Sequence, residues 1–154
     1  MRRTLLTGHD EVVGKFVADL APLERPRWDP GYRAFGVLDG RGALIAGVVF
    51  SGYTPEFRTL EMSGAAVSSQ AFSIEIVAAL GDYVFRQLPT YRLWARTAEN
   101  NLRARRMLRG IGFVEEGVSA HHFGPNRHAI TARLLKPKWE TWLRQHSVEA
   151  RKAA

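Results

Sequence analysis

The middle of the chain alternates between two hydrophobic periodicities, and this alternation limits the folds that it can adopt. Residues 59–67 and 91–97 read as strands, and a helix pattern from residue 101 to Gly112 follows the second of them. Between the two strands, apolar residues recur at the three- and four-residue spacing of an amphipathic helix: Phe72, Ile76, Val77, Leu80, Val84 and Leu88. The succession of strand, helix, strand and helix allows a parallel crossover and predicts an α+β or three-layer domain.

Shorter patterns on either side complete the expected order of elements. A strand at residues 3–7 precedes a helix from His9 to near Pro22, and strands at 32–38 and 43–53 form a hairpin around Asp39-Gly40. Ser68 and Ser69 are expected to cap the second helix. After the third helix come strands at 113–118 and 128–135, and a last helix begins at Pro137. The predicted order is β-α-β-β-β-α-β-α-β-β-α.

Length and composition exclude several classes of protein. At 154 residues we expect one domain over residues 1–154, with its C-terminal helix at about 137–150. No apolar run reaches membrane-spanning length, and no signal-like segment follows Arg2 and Arg3, so we expect a cytoplasmic protein without a membrane partner. The absence of cysteine excludes disulfides, cysteine-ligated metals and thiol nucleophiles, and we expect no metal site.

The positive charge is concentrated in one half of the chain. Residues 1–85 carry 8 Lys and Arg against 10 Asp and Glu, whereas residues 86–154 carry 14 against 5. A half with a charge of +9 attracts phosphates, polyanions or an acidic surface, although a solvated basic face explains the same count.

Residues 100–117 carry a recognisable pattern. Asn101, Ala104, Leu108 and Gly112-Phe113, followed by Glu115-Glu116-Gly117, resemble the GNAT superfamily of acyl-CoA N-acyltransferases. The strand that ends at Leu134-Leu135, with Trp139 after it, is similar to the branch that includes the ribosomal-protein N-terminal acetyltransferases.

The resemblance implies a mixed, mostly antiparallel sheet that is flanked by helices and splayed between its fourth and fifth strands, here residues 59–67 and 91–97. It also implies acetyl-CoA in the opening, with its phosphates at the start of the second helix, where an N-terminus offers unpaired N–H groups. The residues assigned to that contact are Val67, Ser68, Ser69 and Ser73. This segment contains no glycine, unlike the phosphate loop of the family, and simple helix capping by the serines explains them equally well.

The third helix supplies the other expected cofactor contacts. By resemblance, Asn101 bonds to the cofactor or the neighbouring backbone, and Arg103 and Arg106 meet the 3′-phosphate of coenzyme A. Helix capping by Asn101 and a solvated basic face for the two arginines are the alternatives.

The resemblance also implies direct transfer of an acetyl group to an amine, which needs a base, a donor to the thioester oxygen and an acid. Glu61 on the fourth strand is the candidate base, and a backbone N–H on a bulge around Ala66 to Ser68 is the candidate donor. His121 and His122 are the candidate proton donors, with a structural or surface role as the alternative. Tyr53, Tyr83 and Tyr91 are expected to pack.

Three hypotheses of function follow from these features. The first is an N-acetyltransferase that acts on a primary amine of a small molecule or a protein, with acetyl-CoA as donor. The second is a degenerate binding module that uses the basic half for an acidic partner or nucleic acid, although no nucleic-acid motif supports the latter. The third is a homo-oligomeric structural protein, such as a homodimer, that assembles through the helix of Trp139 and Trp142; for the two tryptophans, packing within the chain is the alternative. The acceptor cannot be read from the loops at 22–32, 53–58 and 119–128.

Overall fold

Seven strands form one sheet in the computed structural model, which describes residues 2–21, 28–68 and 70–153, with side chains as far as His146. Their spatial order is β1-β2-β3-β4-β5-β7-β6, and β4 and β5 are parallel while the other neighbours are antiparallel. The expected mixed, mostly antiparallel α+β fold is therefore confirmed. The strands are β1 (Thr4–Leu6), β2 (Arg33–Leu38), β3 (Leu44–Thr54), β4 (Thr59–Ala66), β5 (Arg92–Ala98), β6 (Val114–Ser119) and β7 (Ala129–Leu135).

Helices connect and cover these strands. They are α1 (Asp10–Leu20), α2 (Ile74–Asp82), α3 (Leu102–Ile111) and α4 (Lys136–Ala153), and α2 continues into a π-helical turn at Tyr83–Gln87. None of the helices in this part of the chain has the length and hydropathy that a bilayer-spanning segment needs.

The two faces of the sheet bury different cores. Leu60 and Leu93 point to the face that carries the larger core, formed with α2, α3 and α4. The opposite face of β2, β3 and β4 is covered by α1, whose Val13 and Val17 pack in a smaller core with Ala65 beside it. Because side chains alternate along a strand, Glu61 points to the face that carries α1.

The second helix begins later than the sequence indicates. Ser73 is its N-cap, and its Oγ accepts a hydrogen bond from the N–H of Ile76 at 3.3 Å. Ser68 instead forms a turn, in which its carbonyl accepts from Ala71 N at 3.2 Å and its Oγ from Gln70 N at 3.3 Å. The expectation that Ser68 caps this helix is wrong because local side-chain hydrogen bonds favour a turn before the helix starts. Ser69 lies outside the described residues.

The C-terminal helix docks on α2. Trp139 is 1% exposed and Trp142 is 7% exposed, and the Trp139 ring stacks on Phe85 with centroids 5.4 Å apart. Gly81 of α2 makes room for the indole, since a Cβ at this position would lie 1.9 Å from Trp139 Nε1. Packing of these two tryptophans within the chain is therefore confirmed, and self-association of the chain stays a prediction.

Candidate functional site

β4 and β5 pair over a short length and then part. Their parallel register runs from Thr59 opposite Arg92 to Met62 opposite Ala95. Beyond that point β4 remains paired with β3 as far as Ala66, and β5 remains paired with β7 as far as Ala98. The sheet is therefore splayed where the sequence predicts, and a V-shaped opening starts just beyond Glu61.

The backbone of β4 presents N–H groups to this opening. Val67 N donates to Ile45 O at 2.9 Å, so the amide of Val67 is already bonded to β3 and points away from β5. Successive amides alternate in direction, which turns the N–H groups of Gly64 and Ala66 toward the side that β5 has left.

The expected bulge around Ala66 to Ser68 is wrong. The register between β3 and β4 is continuous from Glu61 to Ala66, and its irregularity lies between Ser51 and Thr54. An amide can still face the opening without a bulge, because regular alternation brings Ala66 N–H there.

The N-terminus of α2 lies at the wide end of the opening, directly after β4. Helix geometry leaves the N–H groups of Ile74 and Glu75 without an acceptor inside the helix, while Ser73 satisfies the next one. The hydroxyls of Ser68 and Ser73 are polar groups on the same segment. A negative charge is favoured at such an end, although the exposed carboxylate of Glu75 partly offsets this preference.

The N-terminus of α3 lies at the same end, because it follows the parallel strand β5. Asn101 Oδ1 accepts a hydrogen bond from Ala104 N at 3.1 Å, so the expected capping role of Asn101 is confirmed. Arg103 and Arg106 are exposed on this helix. Two helices thus begin beyond the wide end of the opening, and Arg103 and Arg106 are on the first two turns of one of them, which is an environment suited to an anion.

The other two arginines of α3 have a different role. Arg105 donates through Nε and Nη2 to the two carboxylate oxygens of Glu115, at 2.8 and 3.0 Å, and Arg109 Nη2 donates at 3.2 Å. The hydrogen bonds from Arg105 are the main cause that lowers the pKa of Glu115 from its ordinary 4.5 to about 2. We call these three residues the Glu115 clamp, and they tie α3 to β6.

Glu61 lies at the narrow end of the opening. It is opposite Trp94 in the parallel register, one residue before the last paired position. Its Oε2 accepts a hydrogen bond from Arg96 Nη2 at 3.4 Å, and the two side chains are 25% and 35% exposed. We call Glu61 and Arg96 the vertex pair. A partly exposed carboxylate at the point where the strands part is placed to contact a group that enters from solvent.

The predicted histidines organise the loop between β6 and β7. His121 Nδ1 accepts from Asn126 N at 2.8 Å, and His128 Nδ1 accepts from His121 N at 2.8 Å. Both Nδ1 atoms are thus engaged as hydrogen-bond acceptors within the loop, and His121 has a loop-forming role. His122 is exposed, with its ring 4.8 Å from that of Phe123.

The structure does not bring these histidines to Glu61. The loop begins beyond Ser119, which pairs with Ala129, and Ala129 pairs with Ala98 at the end of β5. Four residues of β5 separate that level from Trp94, which at the rise of a strand is about 13 Å. Tyr83 packs against Phe35 at 4.8 Å, as expected, and burial raises its pKa.

Trp94 and Arg96 were not predicted as site residues from the sequence. The sequence does contain a pattern that points to them, because polar or aromatic residues alternate with smaller or apolar ones over residues 92–97. In a strand such alternation places the three polar or aromatic side chains on one face. The register with β4, which joins Glu61 to this face, was needed to recognise the vertex pair.

Searches with protein-family models and among curated protein sequences match nothing. Solved structures do match. The spermidine/spermine N-acetyltransferase SpeG from Vibrio cholerae, in complex with manganese ions, is 20% identical with a TM-score of 0.73, covering 91% of this chain and 96% of that one. Its complex with CoA and spermine is 19% identical with a TM-score of 0.71, covering 89% and 97%. A putative acetyltransferase is 20% identical with a TM-score of 0.69, covering 91% and 86%.

These likenesses extend over most of each chain, and they agree with the splayed sheet that the strand pairing shows. At such identities the fold is what is shared. This chain has the GNAT fold.

Proposed function

We propose that this protein is an acetyl-CoA-dependent N-acetyltransferase that acts on a primary amine. One observation carries the proposal: β4 and β5 part just beyond Glu61, and both strands lead into helix N-termini at the wide end of the same opening. We infer an anion site at the wide end of this cleft, with the carboxylate of Glu61 at its narrow end. A donor with a phosphate-bearing tail and a reactive thioester head suits that arrangement.

The residues at the wide end fit the phosphates of coenzyme A. The amides of Ile74 and Glu75 and the hydroxyls of Ser68 and Ser73 offer hydrogen bonds, and exposed arginines on α3, Arg103 and Arg106, offer charge. Acetyl-CoA would supply the acetyl group as a thioester. The missing glycines reduce how closely the backbone can approach, so side-chain contacts carry more of the binding.

Two positions on β4, Glu61 at the narrow end of the opening and Ala66 toward its wide end, provide the groups that an amine acceptor needs. In the reaction a C–N bond forms, the C–S bond of the thioester breaks, and the amine loses a proton. Glu61 is the acceptor of that proton, directly or through water, and the N–H of Ala66 is the donor to the carbonyl oxygen. Val67 contacts the donor through its exposed side chain rather than its engaged amide. His121 and His122 remain predictions for the proton donor to the leaving thiolate.

Two likenesses bear on the identity of the acceptor. The structural neighbours include enzymes named for spermidine and spermine and a dodecamer, which makes small amines and self-association reasonable candidates. The resemblance of the C-terminal strand to the ribosomal-protein acetyltransferases supports a protein amine equally. The cytoplasm is the compartment that we propose, because a cysteine-free acetyl-CoA enzyme needs no oxidising environment.

Thermal unfolding with and without acetyl-CoA tests the proposal. A ligand that binds the folded state alone stabilises it by about 2.7 kcal/mol at a hundredfold excess over its dissociation constant, so we expect a clear rise in melting temperature. The variant Arg103→Gln/Arg106→Gln should require more ligand for the same rise. No rise at millimolar acetyl-CoA would contradict the proposal and favour the degenerate binding module, to which the glycine-free segment also points.

A further inference from the structure

Arg96 lies where an acceptor for Glu61 would enter. Its guanidinium stands over the ring of Trp94, with its carbon 5.2 Å from the centroid, and it reaches the Glu61 carboxylate. The cation–π contact holds the guanidinium on this face independently of Glu61. Arg96 is therefore a fixed positive charge beside the candidate base.

The bond within the vertex pair is weak. Its distance of 3.4 Å is longer than the usual 2.7–3.2 Å of an N–H···O hydrogen bond, and one oxygen alone is engaged. Both side chains are in reach of solvent. A ligand can therefore displace this bond at small cost, unlike the bidentate bonds that Arg105 makes to Glu115 at 2.8 and 3.0 Å.

Among the described residues of β4 to β7 on this face, the second carboxylate, that of Glu116, is already paired. Arg92 and Arg133 both donate to Glu116, with Nη1 to Oε2 distances of 3.1 and 3.3 Å. From β4 to β6, three arginines on this face thus meet two carboxylates, those of Glu61 and Glu116. An acceptor that carries positive charge alone would add to an existing excess.

We propose, on the basis of the proposed function, that the acceptor is an amine with a carboxylate close to it, as in an α-amino acid, and that Arg96 binds this carboxylate. Such a zwitterion has opposite charges a few ångströms apart, and Arg96 and Glu61 present the complementary pair. The carboxylate of the acceptor replaces Glu61 as the partner of the Arg96 guanidinium, and the oxygens of Glu61 become available to the amine. Arg96 is then a specificity-determining residue, and polyamines are poor acceptors.

Matched acceptors test this inference. Acetyl transfer would be measured with leucine, with 3-methylbutylamine, which is leucine without its carboxylate, and with spermidine. We expect kcat/KM for leucine to exceed that for 3-methylbutylamine by about 10- to 100-fold, the effect of one hydrogen bond between charged groups. Larger and smaller amino acids, each with its decarboxylated partner, would separate the carboxylate effect from the fit of the side chain.

Variants locate the effect at Arg96. In Arg96→Gln we expect the ratio of kcat/KM for each amino acid to kcat/KM for its decarboxylated partner to fall to about one. In Arg96→Lys we expect this ratio to be partly retained, because the positive charge remains without the planar fork of the guanidinium. Arg133→Gln, on the same face but bonded to Glu116, is the matched control and should keep the wild-type ratio.

The outcomes separate the two proposals. Transfer to amines without a preference for the carboxylate, a preference for spermidine, or an unchanged ratio in Arg96→Gln would overturn this inference and leave the proposed function in place. Acetyl-CoA binding without transfer to any acceptor in the panel would also overturn the inference. If the protein neither binds acetyl-CoA nor transfers an acetyl group to any acceptor, the proposed function is overturned together with this inference.

Discussion

Two groups of arginine and glutamate lie on opposite faces of the C-terminal half of the sheet and differ in almost every physical respect. In the Glu115 clamp, three hydrogen bonds of 2.8–3.2 Å join one carboxylate to two guanidiniums and lower its pKa to about 2. In the vertex pair, one bond of 3.4 Å joins one carboxylate to one guanidinium.

The difference shows that composition alone does not reveal the role of a charged pair. The clamp fixes α3 against β6, so its contribution is to the folded state. The vertex pair lies where two strands part, and its contribution to the folded state is small because the bond is long and partly exposed. Bonds that hold the fold and bonds that a ligand can replace are made here from the same two residue types.

The largest expected effect is on catalysis. Glu61→Gln removes the proton acceptor while keeping the size of the side chain, so we expect acetyl transfer to fall by about 10²- to 10⁴-fold. Steady-state kinetics with a saturating amine and acetyl-CoA would measure this. The melting temperature should stay within about 1 °C of wild type, since the pair is partly exposed and its hydrogen bond is long. Activity above a tenth of wild type would exclude Glu61 as the base.

The matching change in the clamp should act on stability. Glu115→Gln removes the carboxylate that Arg105 and Arg109 share, and we expect the melting temperature to fall by about 2–4 °C. Calorimetry at neutral pH would measure it. The kcat of the folded fraction should remain near wild type, so a loss of activity comparable to that of Glu61→Gln would show that the two groups are not separate in function.

Acid should distinguish the same two groups. Because the pKa of Glu115 is lower in the folded protein than its ordinary 4.5, its ion pairs stabilise the fold above pH 4.5, and this contribution is lost as the pH falls toward about 2. Denaturant unfolding between pH 5 and pH 2 should give a steep loss of stability in wild type and a shallower one in Glu115→Gln. Parallel curves for the two proteins would contradict this assignment.

The smallest expected effect concerns the stability of Arg96→Gln. A long, single hydrogen bond and one cation–π contact at a partly exposed site contribute little, so the melting temperature should change by less than about 2 °C. The same calorimetric measurement suffices. A larger fall would show that Arg96 supports the fold, and its effect on acceptor preference would then need the Arg96→Lys variant for interpretation.

Much of the fold could be predicted from the sequence because it depends on local patterns. The hairpin at Asp39, the cap at Asn101 and the end of α3 at Gly112 each follow from the chemistry of one or two residues, and each is present. The start of α2 was predicted too early, since Ser68 and Ser73 have the same intrinsic preference for an N-cap position. Which of the two serines caps α2 depends on the hydrogen bonds that each makes in the folded chain.

The site was harder to predict because its members are distant in sequence. Glu61 and Arg96 are 35 positions apart and meet through strand register, which no local pattern encodes. His121 was predicted as a proton donor because it follows the Gly112-Phe113 element and a histidine can serve either proton role near neutral pH. What the sequence did not show is that its Nδ1 accepts a backbone hydrogen bond from Asn126. Such a contact depends on how the loop between β6 and β7 folds back on itself, which no local pattern predicts.

The indole of Trp139, seated over Gly81, also bears on the order in which this protein can mature during synthesis. The partner of α2 is encoded 58 positions later, so the ribosome completes both strands of the opening and both helix N-termini before it makes Trp139. Until then the helix that starts at Ser73 has one side exposed. A nascent chain can thus have every candidate site residue and still lack a finished site.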